Sequence, residues 1–191
     1  MFFLISFMEL IFWTIIIAAV LIVFMFVYYF NRFNVLSNRI GNSLSQIDVQ
    51  LKRRADLIPN LIETVKGYAK HEKEIMTEVN NARKALVSAK DLPSKIKAND
   101  KLEGVLGRLF AIAENYPNLK ANENFLELQR ELSATEDRVA YSRQSYNDSI
   151  LDYQNLRTTF PGSMFAGMYG FKEKEYIKIA PAEREVVKVK F

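Results

Sequence analysis

The chain has 191 residues, of which 26 are basic and 22 acidic, with no cysteine and a single histidine. The absence of cysteine excludes disulfides, thiol catalysis and thiolate metal sites, and one histidine cannot build a triad or a histidine metal cluster. The formal charge of +4 is mild and well mixed, which is not the clustered basic face of a nucleic-acid binder, so no nucleic-acid partner is expected.

Residues 1–9 form a short tail whose one charge is Glu9. Residues 10–30, LIFWTIIIAAVLIVFMFVYYF, are twenty-one residues without a charge. As a helix they would span roughly 30 Å, the thickness of a hydrocarbon core. Backbone polar groups in lipid must be satisfied internally, so the run is expected to be a transmembrane helix, with membrane lipid as its partner. A removable signal peptide would carry a positive start, an apolar core of about 7–15 residues and a terminal small-residue cleavage site. Here no Lys or Arg precedes the run, and Ala18-Ala19 lies in its middle. The rings of Phe26, Tyr28, Tyr29 and Phe30 resemble an interfacial aromatic belt. Arg32, Arg39, Lys52, Arg53 and Arg54 all follow the run, so the positive-inside rule places residues 1–9 outside and residues 31–191 in the cytoplasm.

Residues 31–160 read as a cytoplasmic helical bundle. From Phe33 through Leu36, Ile40, Leu44, Ile47, Leu51, Ala55, Ile58, Ile62, Val65 and Ala69, apolar residues recur every three or four positions, the stripe of a buried helix face. The stripe continues less cleanly to about Lys90. Pro59 interrupts the helix, and because the register survives across it, a kink is expected there rather than a loop. Asp91-Leu92-Pro93-Ser94 reads as a loop whose Ser94 caps a second helix, with Leu102, Val105, Leu106, Leu109, Ala113 and Tyr116 on its buried face. Asn115-Tyr116-Pro117-Asn118 stops it. The last helix runs from about Asn122 to Phe160, with Phe125, Leu128, Leu132, Thr135, Val139, Tyr146, Ile150, Tyr153, Leu156 and Phe160 inward. Residues 161–191 change character: a glycine- and aromatic-rich stretch, FAGMYGF, precedes two weak strand signals at 176–179 and 186–191. The fold class is therefore all-α: a transmembrane helix, an antiparallel up-and-down bundle of three to four long helices, the first kinked near Pro59, and a short irregular or β-like tail.

No motif carries chemistry. His71-Glu72 would need a second histidine four residues after the first to bind zinc, and that position is Ile75. No glycine loop, nucleophile elbow or cofactor fingerprint is present, and no cofactor or metal is expected. Lys52, Arg53 and Arg54 form the densest positive cluster, read as a solvated helix face, with Asp48 and Asp56 supplying surface ion pairs along the same helix. Asp148 and Asp152 are one turn apart, without the partner carboxylates a metal would need. Tyr141, Tyr146 and Tyr153 with Asn147 and Asn155 mark either an interhelical or intersubunit polar seam or a core that uses tyrosine where the hydroxyl meets water. Met164, Phe165, Met168, Tyr169 and Phe171 demand burial, on the bundle, on a partner subunit or on the membrane.

QIDVQLKRRADLIPNLIETVKGYAKHE (46–72) and SYNDSILDYQNLRTTFPGSMFAGMYGFKEKEYIKI (145–179) closely resemble the two hallmark segments of the LemA family of bacterial membrane proteins, and the closing VVKVKF resembles the family's usual end. The match is densest around Arg53, Arg54, Asp56, Pro59 and Asn60, and around Tyr146, Asn147, Phe160, Pro161 and Phe171. It departs at Ser43-Leu44, where the family has a small residue followed by tryptophan, and at Val187, where proline is common. The resemblance implies one N-terminal membrane helix in the bacterial inner membrane and an up-and-down cytoplasmic bundle. It supplies no catalytic residue. The expected function is a non-enzymatic membrane-anchored scaffold acting as a homo-oligomer or with another membrane protein, through a face drawn from Lys52, Arg53, Arg54, Asp56, Tyr146, Asn147, Phe160, Phe165, Tyr169 and Phe171. The alternatives are a membrane-associated sensor or regulator and, third, a lipid-acting enzyme.

Overall fold

The computed structural model describes residues 2–177, with side chains from Met8 onward. It is all-helical in those residues: α1 (Phe2–Tyr68), α2 (Lys73–Ser88), α3 (Leu92–Ala113), α4 (Pro117–Lys120), α5 (Glu123–Thr158) and α6 (Gly162–Tyr169). No strand occurs among the described residues. The strand signal at 186–191 and half of that at 176–179 lie outside them. The described residues fall into two units, one of residues 2–42 with 146–176, the other of residues 43–145 with 177.

In the 43–145 unit, the three-and-four spacing of α1 is realised as burial. Ile47, Leu51, Ala55, Ile58, Ile62, Val65 and Ala69 are all buried. They share a core with Val79 and Leu86 of α2, Leu102, Val105, Leu106 and Leu109 of α3, and Phe125, Leu132 and Val139 of α5. At roughly 1.5–3 kcal/mol for each fully buried large side chain, this core is the main stabilising term.

α1 runs through Pro59 and ends only at Tyr68. Proline has no N–H, so the Ala55 carbonyl one turn back loses its helical donor. Arg83 of α2 supplies a replacement, donating its Nε–H to that oxygen at 2.8 Å. The chain breaks instead at Lys70-His71, which corrects the expectation of a first stripe continuing to about Lys90. The break falls three residues after Gly67, a poor helix former. Its charged residues stay in water while Ala69 and Met76 on either side keep the apolar register, so spacing alone does not reveal it.

The start of α3 also differs from the expectation. Asp91, not Ser94, is the cap: its carboxylate accepts the Ser94 backbone N–H at 2.9 Å. Leu92-Pro93 therefore belong to the helix, as a proline in the first turn permits. Tyr116 is half-buried and donates its hydroxyl to Glu72 at 2.8 Å.

In the unit of residues 2–42 and 146–176, α1 changes surface along its length. Most large side chains from Met8 to Val27 are open to the surroundings, among them Trp13, Val20 and Phe24, while Ile16 and Phe26 are half-buried. One helix here, near the N-terminus, is long and apolar enough to cross a membrane. Phe33, Leu36 and Ile40 are buried with Ile150 and Tyr153 of α5 and Phe165 and Ala166 of α6. Residues 162–169 are helical, which corrects the irregular tail expected there. Gly162 makes the turn into α6 possible: a Cβ at that position would lie 2.1 Å from the Leu156 carbonyl oxygen. Gly170, with φ of 73°, ends α6 in the left-handed conformation that glycine adopts without strain. Phe160 is 80% exposed, not inward as its stripe position suggested, because the chain turns away at Pro161-Gly162.

Candidate functional site

Two places bring sequence-marked residues together, one in each unit. In the 43–145 unit the centre is Arg54. Its side chain is 2% exposed, which corrects the reading of Lys52-Arg53-Arg54 as a solvated face. Lys52 and Asp56 are exposed, and Arg53 reaches Glu131 of α5 at 2.8 Å. Arg54 points inward, donating to Asn99 Oδ1 of α3 at 3.0 Å and to Glu136 Oε2 of α5 at 3.4 Å. The pairing expected within α1 is not formed: Asp48 binds Lys95 at 2.7 Å instead.

Sequence reasoning missed Asn99, Asp100, Glu103 and Glu136, which complete this cluster. The signal was in the spacing. Arg54 stands three residues after Leu51 and four before Ile58, and Asn99 three after Ile96 and three before Leu102, so both occupy core positions. Burial lowers the Arg54 pKa, while Glu136, Glu103 and Asp100 pull it back up. The Glu103 carboxyl is pushed up to about 7, first by burial, then by a hydrogen bond with Glu136 and repulsion from it; Arg54 opposes the shift. Arg143 lies 3.6 Å from Asp100 Oδ1. Arg54, Asp100, Glu103 and Glu136 line an open groove of about 540 Å³ with Gly104, Gly107, Phe110 and Gln129. Chemically, the cluster is one buried cation holding acids on two helices, with a carboxyl pair able to share a proton. Among the described residues, no group of three or more histidines, cysteines or acids is placed to hold a metal ion. Asp152 pairs with Arg39 at 3.3 Å, and His71 is exposed in the α1–α2 turn.

In the other unit the centre is aromatic. α6 lays Phe165 flat on Tyr29, ring centroids 4.7 Å apart, and edge-on to Phe26 at 5.1 Å. Tyr169 donates its hydroxyl to the Phe26 carbonyl oxygen at 3.0 Å. Phe171 stacks on Phe33 at 4.5 Å, and Phe33 meets Tyr153 edge-on at 5.8 Å. Two of the tyrosines of α5 bond backbone carbonyls. Tyr153 donates to Lys172 O at 2.8 Å and Tyr146 to Glu175 O at 3.3 Å. Burial raises the pKa of both. Gln154 donates to Lys174 O at 2.9 Å, and Arg157 pairs with Glu173 at 3.1 Å. Asn147 is half-buried and Tyr141 exposed. The structure thus joins Tyr146, Phe165, Tyr169 and Phe171 in one unit, and leaves Phe160 outside their packing.

The chain is 28% identical over 164 residues to magnetosome protein MamQ of Magnetospirillum gryphiswaldense, covering 72% of this chain and 60% of that protein. It is 26% identical over 179 residues to magnetosome protein MamQ 2 of Paramagnetospirillum magneticum, covering 80% and 66%. It is 26% identical over 141 residues to protein LemA of Metamycoplasma hominis, covering 72% and 64%. The chain therefore spans less than two thirds of the length of these relatives. Residues 43–191, which include the Arg54 cluster and the α6 aromatics, match the model of the LemA family. The chain belongs to the LemA family.

Proposed function

We propose that the protein is a membrane-anchored, non-enzymatic helical scaffold that assembles with copies of itself or with another membrane protein. One observation carries the proposal: between Leu10 and Val27 the large apolar side chains of α1, apart from the half-buried Ile16 and Phe26, stand open around the helix, whereas beyond Phe33 one face of it is buried. An uncharged helical surface of that length belongs in hydrocarbon. The positive charges after residue 31 argue for an outside N-terminus and a cytoplasmic remainder, in the inner membrane of a bacterium.

The side-chain pairs support an antiparallel up-and-down bundle in the 43–145 unit. Along α1 and α5, Arg53 meets Glu131 and Tyr68 meets Asn122, so numbers rise on one helix as they fall on the other. α2 and α3 pair through Glu78 and Arg108, and α3 and α5 through Phe110 and Phe125. The open groove beside Arg54 favours a surface that binds a partner.

Alkaline carbonate extraction of membranes tests the anchor, with retention in the pellet expected and release removing it. Because the native chain has no cysteine, Tyr141→Cys can be labelled with an impermeant maleimide, and labelling only after permeabilisation is expected. Cross-linking in membranes should give a ladder; a strict monomer at high concentration in detergent would remove self-assembly. The regulator reading is favoured by the Glu103 carboxyl, whose pKa of about 7 places its charge change near neutrality.

A further inference from the structure

In the unit of residues 2–42 and 146–176, α6 is an eight-residue helix, GSMFAGMY, without a charge on either side. Its inner side is taken by α1 through Phe165 and Tyr169. Its outer side presents Met164 and Met168, 58% and 61% exposed, beside Phe160 at 80%. We propose that this outer face is an interfacial membrane contact: α6 lies at the acyl–headgroup boundary of the bilayer that residues 10–30 cross, and Phe160, Met164 and Met168 enter lipid. The inference rests on the anchor reading above.

The position of α6 along α1 carries the argument. Tyr169 binds the carbonyl of Phe26, and Phe165 stacks on Tyr29. Phe26 lies four residues before the end of the apolar run, about 6 Å at 1.5 Å per residue. Interfacial helices bury their apolar face roughly 5–10 Å into this same boundary. Several polar groups at the end of α6 are satisfied within the protein, as a lipid setting requires. The Tyr169 hydroxyl has the Phe26 carbonyl, and Ala166 O accepts from both Gly170 N and Phe171 N. Directly after α6, the exposed and alternately charged Lys172, Glu173, Lys174 and Glu175 return the chain to water, as the headgroup side of that boundary allows. A second copy of the chain fits this face less well, because three side chains offer little of the roughly 800 Å² per partner that a stable interface buries.

The test uses the full chain in vesicles of equal parts phosphatidylcholine and phosphatidylglycerol. Single cysteines replace Met164, Met168, Val20 or Leu151, each carrying an environment-sensitive fluorophore. Doxyl lipids quench from within the bilayer and iodide from the water. Labels at Met164→Cys and Met168→Cys should lose most emission to doxyl near the headgroup and less to doxyl at the chain end. Val20→Cys should respond most to chain-end doxyl, and Leu151→Cys on α5 only to iodide. If Val20→Cys is quenched by lipid while both α6 labels answer to iodide alone, the α6 proposal falls and the anchor stands. If α6 labels are shielded from iodide and from doxyl alike, protein covers the face and the proposal is overturned. If Val20→Cys itself escapes doxyl, the anchor reading fails and takes this inference with it.

Discussion

Arg83 repairs what Pro59 removes. The Ala55 carbonyl has no donor on its own helix because residue 59 carries no N–H, and the Arg83 Nε–H fills the gap from α2 at 2.8 Å. Two substitutions should therefore be coupled. Pro59→Ala restores the helical donor and should stabilise the protein, since an interior proline costs about 3 kcal/mol relative to alanine. Arg83→Met should destabilise the parent by about 1–3 kcal/mol, the penalty of an unsatisfied buried acceptor. In the Pro59→Ala background the Arg83→Met loss should shrink, and the double-mutant cycle measured by denaturant unfolding reads the difference. An Arg83→Met loss of the same size in both backgrounds would show that Arg83 acts elsewhere.

How much of this was legible in the sequence depends on what periodicity can carry. The stripe from Phe33 to Ala69 predicted burial because each position repeats the same face, and all but Leu44 of those residues are buried. The break at Lys70-His71 was invisible because the spacing from Ala69 to Met76 fits a continuous helix. Arg54 was legible by position and hidden by chemistry: it stands on the core face, but an arginine is expected in water unless it is paired. Its partners lie 45 and 82 residues away, beyond any local pattern. α6 was hidden by length and composition, since eight residues with two glycines read as a loop.

Removing the Arg54 guanidinium should be severe. It is the buried cation among Asp100, Glu103 and Glu136, and its loss leaves acids and the Asn99 amide facing one another. Breaking a buried pair by deleting one partner typically costs about 3–5 kcal/mol. Arg54→Ala should lower the unfolding midpoint accordingly, and Glu136→Gln should lower it less, because Glu136 is half-exposed and 3.4 Å away. Circular dichroism in detergent measures both. An Arg54→Ala midpoint equal to the parent's would mean the acids are held by water rather than by the guanidinium.

The same cluster predicts a pH dependence of definite sign. Glu103 has a folded pKa of about 7 against an ordinary value of 4.5. A carboxyl that holds its proton more tightly when folded contributes stability that is complete below its ordinary pKa and is lost as pH rises through its folded one. Unfolding midpoints should therefore fall between 4.5 and about 7 and then level off. Glu103→Gln keeps a hydrogen-bond donor for Glu136 and removes the titration, so its profile should lack that step. A step of the same size in the variant would assign the proton to another group.

Glycine at 162 should be irreplaceable where glycine at 167 is not. A Cβ at Gly162 would meet the Leu156 carbonyl oxygen at 2.1 Å, whereas one at Gly167 meets nothing within 4 Å. The first clash is with backbone, so no rotamer change relieves it, and forced overpacking costs about 1–3 kcal/mol. Gly162→Ala should therefore loosen α6 from Phe26 and Tyr29, seen as faster tryptic cleavage at Arg157 and Lys172 in detergent-solubilised protein. Gly167→Ala should protect the same bonds, because alanine in an exposed helix interior is favoured over glycine by roughly 0.5–1 kcal/mol. Opposite shifts in two glycines five residues apart would separate the turn's steric demand from simple helix propensity. Equal shifts would show that the close approach to Leu156 does not set the position of α6.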